Sequence, residues 1–207
     1  MSPGNPAAQF YANTPLKATQ LAASTDPGLW VGKAVSPAKK FLRRLMVMGV
    51  NAAIVPMAMK LLDYLLYYSF IDQSITDQQV MDNTATIPRY PTGDGVHILP
   101  ICLGSQVGGA SFTVSYTNSA GVSGRTTPAV STAAASVISG VATNPLNATG
   151  ANCVAPFLPL QIGDKGVQSI QSITFTTTDV GIMALVLVKP LAQLSIRGKI
   201  GRASCRE

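Results

Sequence analysis

Few residues in this chain have the chemistry to break a bond. Histidine occurs once, at His97, in the run Val96, His97, Ile98. A nucleophile–base pair would need a Ser or Cys partner and an acid to orient the imidazole. Cys102 lies five residues on, and strand alternation points it to the face opposite His97. The histidine therefore reads as structural, and no catalytic residue is assigned. The carboxylates are Asp26, Asp63, Asp72, Asp77, Asp82, Asp94, Asp164 and Asp179, with Glu207 the only glutamate. Asp94, Asp164 and Asp179 stand beside glycines, where Asp is favoured because its side chain bonds nearby backbone. Asp72, Asp77 and Asp82 are spaced by five and lack the alternating oxygen ligands and Gly of a calcium loop, so they read as turn and cap residues.

Other motifs are equally bland. GSQVGGAS (104–111) is glycine-rich, but no Lys-Ser/Thr follows it, so a phosphate loop is not supported. No C-x-x-C or His/Cys cluster points to a metal, and no cofactor is expected. Lys39, Lys40, Arg43 and Arg44 form the one dense basic cluster. With Phe41 its single aromatic and a modest net charge overall, it reads as a solvated segment or a subunit contact rather than a site for a specific nucleic acid. Trp30, the one tryptophan of the chain, joins it as a candidate partner contact in a Pro-rich stretch.

The final segment changes the composition. The codons ATC GGA AGA GCG TCG TGT AGG GAA encode residues 200–207 without a gap and resemble a short-read sequencing adapter translated in frame, with Lys199 at the junction. Such segments are set aside from fold reasoning. Without 199–207 the 15 basic and 9 acidic residues fall to 12 and 8, the net charge falls from +6 to +4, and only Cys102 and Cys153 remain. With 47% hydrophobic and 12% charged residues the chain is set to bury a core rather than stay disordered. The absence of Glu elsewhere leans towards β structure.

Three regions follow. Residues 1–37 read as an extended N-terminal arm, 38–196 as a β-sandwich domain, and 199–207 as adapter. The start has no basic region followed by an apolar run, so no secretion signal is expected. Residues 45–59 hold no charge but fall short of the roughly 20 apolar residues of a membrane helix, so no membrane span is expected. As helix, Leu61, Leu62, Leu65 and Leu66 would form a stripe. Pro56 and the pair Tyr67 and Tyr68 favour two strands, 45–50 and 60–68, around a turn at 51–56.

Residues 74–83 begin Ser-x-x-Asp and could form one short helix. Beyond them, TATIPRYPTGDGVHILPICLG predicts two strands around a Gly-Asp-Gly turn. SFTVSYT (111–117) alternates cleanly, with Phe112, Val114 and Tyr116 on one face. FLPLQ predicts a strand, 167–175 alternates imperfectly, and 182–188 is continuously apolar, as a central strand is. The expectation is an all-β, mainly antiparallel fold: a jelly-roll-like β-sandwich with an extended N-terminal arm and at most one or two short helices.

YTNSAGVSGRTTP, FLPLQIGDKGVQSIQSITF, TTDVGIMALVLVKPL and LLDYLLYYSFIDQSITDQQVMDNTATIPRY together resemble a group of poorly characterised tailed-bacteriophage virion proteins. The likeness spans residues 29–196 and carries no known catalytic residue. It implies a virion structural protein and no enzyme, specifically a capsid decoration or cement protein made in the host bacterial cytoplasm. Its partners would be the major capsid protein, other virion subunits and copies of itself. One alternative is a tail- or fibre-associated, receptor-binding protein. Another is a glycan-active enzyme on a β scaffold, which usually needs paired carboxylates that this chain hardly offers.

Overall fold

The computed structural model describes residues 16–21, 35–36, 41, 44–48, 57–134, 138, 140–143, 156–196 and 200–204. Among them all regular structure is β, and all pairing between strands is antiparallel, with one isolated parallel bridge between Lys17 and Asp82. The strands are β1 (Ala18–Gln20), β2 (Arg44–Met48), β3 (Met57–Asp72), β4 (Gln79–Val80), β5 (His97–Cys102) and β6 (Ser111–Asn118). β7 (Arg125–Thr126), β8 (Val130–Ser131), β9 (Val167–Phe175), β10 (Ile182–Ile196) and β11 (Ile200–Ser204) complete them. One sheet runs β1-β3-β10-β5 and a second β4-β9-β6-β7, with β8 also on β6, while β11 and β2 pair in a separate two-stranded sheet. Gly140 and Ala142 bond the backbone of β5, and Val141 bridges Ile101, so this short segment lies on the edge of β5 away from β10.

The two sheets close on a core that includes Leu66, Tyr68, Ile98, Phe112, Val114, Tyr116, Ile170, Ile173, Phe175, Leu185 and Leu187. β6 shows the simplest cause: Phe112, Val114 and Tyr116 alternate inward and are fully buried. The first sheet is apolar on its other face too. There Tyr67, Leu99, Ile101, Ala184, Val186 and Val188 pack with Leu21, Leu103 and Phe157. A sandwich sheet with one solvated face would alternate polar residues here. The unbroken apolar run at 182–188 thus has a reason: β10 is central in its sheet and buried on both sides.

The long β3–β10 ladder shifts register three times, between Met183/Leu185, Leu187/Val188 and Pro190/Ala192. Phe70 sits at the first shift with φ 63°, a conformation uncommon for a residue with a side chain. Two shifts in β9 explain its imperfect alternation. Ser172 pairs Ser115 but Ile170 pairs Tyr116, and Ser169 pairs Thr117 but Val167 pairs Asn118. Gln171 and Gln168 are the extra residues. The Gln171 side chain then bonds Thr117, Ser115 and the Gly124 amide along the outer face.

Several expectations are corrected. Residues 74–83 hold no helix. Asp72 accepts the backbone and hydroxyl of Ser74, while the Gln79 side chain bonds both the amide and the carbonyl of Asp72. This closes a short loop and leaves Gln79 to pair with β9. Residues 84–91 and 156–161 form turns and irregular chain, not strands. Arg89 explains part of the former. Its guanidinium pairs with Asp63 and bonds the carbonyls of Tyr64 and Leu21, where a further ladder residue would otherwise bind. Within the expected arm, 18–20 form β1 on β3. Within the adapter-like segment, 200–204 pair with β2, through backbone groups that any sequence possesses.

Candidate functional site

His97 and Cys102 point away from each other. His97 stacks on Phe157, with ring centroids 4.8 Å apart and planes at 16°, and the Lys60 ammonium lies 4.9 Å from the same Phe157 ring. Burial, then the charges of Lys60 and Lys189, holds the imidazole pKa below its ordinary value, so the ring is neutral. Cys102 faces the intersheet core, where its thiol donates to the Gly104 carbonyl at 2.9 Å. Burial pushes its pKa up despite that hydrogen bond, so the thiol is unreactive. Neither residue is arranged as a nucleophile or a base.

The most highly organised polar centre is Asp179, between β9 and β10. Its carboxylate is 8% exposed and accepts four hydrogen bonds: Val107 N at 3.0 Å, Gly108 N at 2.8 Å, Val180 N at 2.7 Å and Thr132 Oγ1 at 2.8 Å. Its own amide donates to Gln73 O, and Gln73 N donates to Gly181 O. Burial raises the Asp179 pKa, but the bonds from Thr132, Gly108, Val180 and Val107 outweigh it and hold the carboxyl below its ordinary range. Gly181 (φ 108°) is required here, since a Cβ would lie 2.5 Å from the Ser105 carbonyl oxygen. Buried beside this centre, Gln73 donates to Gln106, which donates to the carbonyls of Ala133 and Ala142. One aspartate thus ties together the loops after β3, β5, β8 and β9.

Asp164 does the same at the opposite end. It accepts Tyr116 Oη at 2.5 Å, Asn118 Nδ2 at 2.7 Å and Arg125 Nε at 3.0 Å. Burial raises its pKa, and the bonds from Arg125, Tyr116 and Asn118 overcome that and lower it. Between these ends Tyr68 crosses the core. Its hydroxyl accepts Ile170 N and donates to Asn83, which in turn bonds Ile170 O.

Sequence reasoning treated Asp164 and Asp179 as local turn residues. Most of their partners are instead remote, 72 residues away for Val107 and 48 for Tyr116. The side chains of Asp72 and Asp82 stay local, capping Ser74 and Thr84. The described residues contain no cluster of three or more His, Cys, Asp or Glu that could hold a metal. Arg44 is exposed at the start of β2, opposite Ser204; Trp30, Lys39, Lys40 and Arg43 lie outside the described residues.

A shallow, open depression of about 400 Å³ lies over Asp179, lined by Ser74, Val107, Gly108, Thr178 and Val180. Its carboxylate already has its donors, and no titratable neighbour faces it from that lining. These features define a two-layer antiparallel β-sandwich whose buried aspartates are committed to closing its own ends. Set against protein-family models, curated proteins and solved structures, the chain matches none of them.

Proposed function

We propose that the chain is a structural protein of a tailed-bacteriophage virion, acting as a capsid decoration or cement subunit on a jelly-roll sandwich. The observation that carries this reading is the strand order. Successive strands alternate between sheets: β3 in the first, β4 in the second, β5 in the first, β6 and β7 in the second. The 140–142 segment then joins the first, β9 the second and β10 the first. That interleaving is what a jelly roll of two Greek keys produces. Capsid subunits commonly use it because the sandwich is rigid and its ends present loops to neighbours.

The chemistry supports the same reading. Asp164, Asp179, His97 and Cys102 are occupied in bonding or packing, and such a subunit works by contact area rather than turnover. The partners would be the major capsid protein, other virion subunits and further copies of the chain. No specific nucleic acid or membrane enters this role. The protein would be made in the host cytoplasm and reside in the particle.

The test is quantitative mass spectrometry of gradient-purified virions, followed by cryo-electron microscopy of the shell. The expected result is a multicopy component with the sandwich seated on the head. Density on the tail alone would transfer the protein to a fibre-associated role. Its absence from purified particles would refute the proposal.

A further inference from the structure

The two ends of the sandwich differ in charge. At the Asp179 end, the described residues of 72–78, 103–110, 131–134, 140–143 and 175–182 contain Asp72, Asp77 and Asp179 and no Lys or Arg. Lys17 and Asp82, joined on the flank by a backbone β-bridge, carry opposite charges. The opposite end gathers Lys60, Arg89, Arg125, Lys165 and Lys189 around Asp63, Asp94 and Asp164. Each end also raises apolar side chains into solvent. Ile75 (41%), Val107 (72%) and Val180 (58%) crown the acidic end, and Val122 (52%) and Ile162 (80%) crown the basic one.

These tips stand on rigid ground. Asp179 holds the amides of Val107 and Val180 directly. Asn118 accepts the Val122 amide and is itself bonded to Asp164, and the Asp164 amide closes the turn under Ile162 on Gln161 O. Exposed aliphatic groups on a fixed backbone lose little entropy when covered, which suits them to be the centre of a contact. Opposite charges around them give orientation and disfavour like ends meeting.

We propose that the two ends are complementary halves of one contact between copies of this chain. Ile75, Val107 and Val180, flanked by Asp72 and Asp77, dock on Val122, Ile162 and Lys165 of the next copy. The contact is heterologous, using different surfaces on the two partners. With its halves at opposite poles of the strands, it repeats along a line. This proposal rests on reading the chain as an assembly subunit and specifies how copies join.

Sedimentation velocity of the purified full chain tests it, at low salt and at about 0.5 M salt, where exposed charges are screened. The wild type is expected to self-associate by about 100 µM and to weaken in salt. Asp77→Lys and Lys165→Asp are each expected to weaken self-association at least about tenfold. Mixed, the two variants should recover association with the two alternating in equal numbers, since each retains one intact end and the altered ends are again opposite in charge. A wild type that stays monomeric at low salt overturns the proposal. So does a Lys165→Asp variant that associates like wild type, which would mean like ends meet, or a mixture that does not recover. A monomeric chain found in virions removes this contact and leaves the structural role; an associating chain absent from virions does the reverse.

Discussion

Replacing Asp179 with Asn keeps the shape and removes the charge. In the native clamp one carboxylate oxygen accepts Val107 N and Val180 N, and the other accepts Gly108 N and Thr132 Oγ1. Turning either oxygen into an amide nitrogen sets a donor against at least one buried N–H. The Thr132 hydroxyl can rotate to accept, but the backbone amides cannot. Each orphaned donor costs about 1–3 kcal/mol, and the surviving bonds lose charge assistance worth about 1 kcal/mol.

Against this stands relief from burying a charge without a cation beside it. The lowered pKa of Asp179 decides the balance, because its hydrogen bonds already outweigh its burial. Asp179→Asn should therefore destabilise the fold by about 2–4 kcal/mol, lowering Tm by roughly 5–12 °C for a chain of this size. Urea unfolding followed by far-UV circular dichroism measures this, with exposed Asp77→Asn as a control expected within about 0.5 kcal/mol of wild type. The deficit of the variant should hold above pH 4 and vanish as pH falls through the depressed folded pKa. A variant as stable as wild type at neutral pH would refute the clamp.

Gly181→Ala should cost about 3 kcal/mol or more, since it combines positive φ with a Cβ against the Ser105 carbonyl; thermal melts that leave Tm unchanged would show that the β9–β10 turn can relax. Wild-type stability should also decline on acidification below about pH 6.5, because His97 binds a proton less readily folded than unfolded. The loss should level off once pH passes below the folded pKa, and His97→Gln should flatten that part of the profile in urea titrations.

Where burial is consistent along a strand, pattern and structure agree: the alternation of 111–117 became β6, buried on one face, and the apolar run 182–188 became the heart of β10, buried on both. The strand reading of 60–68 also holds within β3. What escaped were events between remote residues. Bulges at Gln168 and Gln171 shift the phase of β9, and periodicity registers them only as noise. The cap signature at 74–83 failed, because Ser74 donates to Asp72 and Gln79 fastens to the same residue, closing a loop. Asp164 and Asp179 carry turn signals that speak of neighbours, whereas most of their partners come from other strands. Arg89 bonds the carbonyls of Leu21 and Tyr64 beside β1 with a side chain, which no strand propensity describes.

The place of β10 has a consequence in time. It lies between β3 and β5, and Ile182 must meet Asp72 across the intervening strands of both sheets. A growing chain therefore makes β3, β5, β6 and β9 before the strand that joins β3 to β5 emerges. Until then both apolar faces of the first sheet lack their middle, and open strand edges face solvent. Closure of the sandwich is thus late and built from distant contacts, so folding is slow for the chain's size and sensitive to interruption before β10. A ribosome that stalls before residue 182 releases a chain set to aggregate.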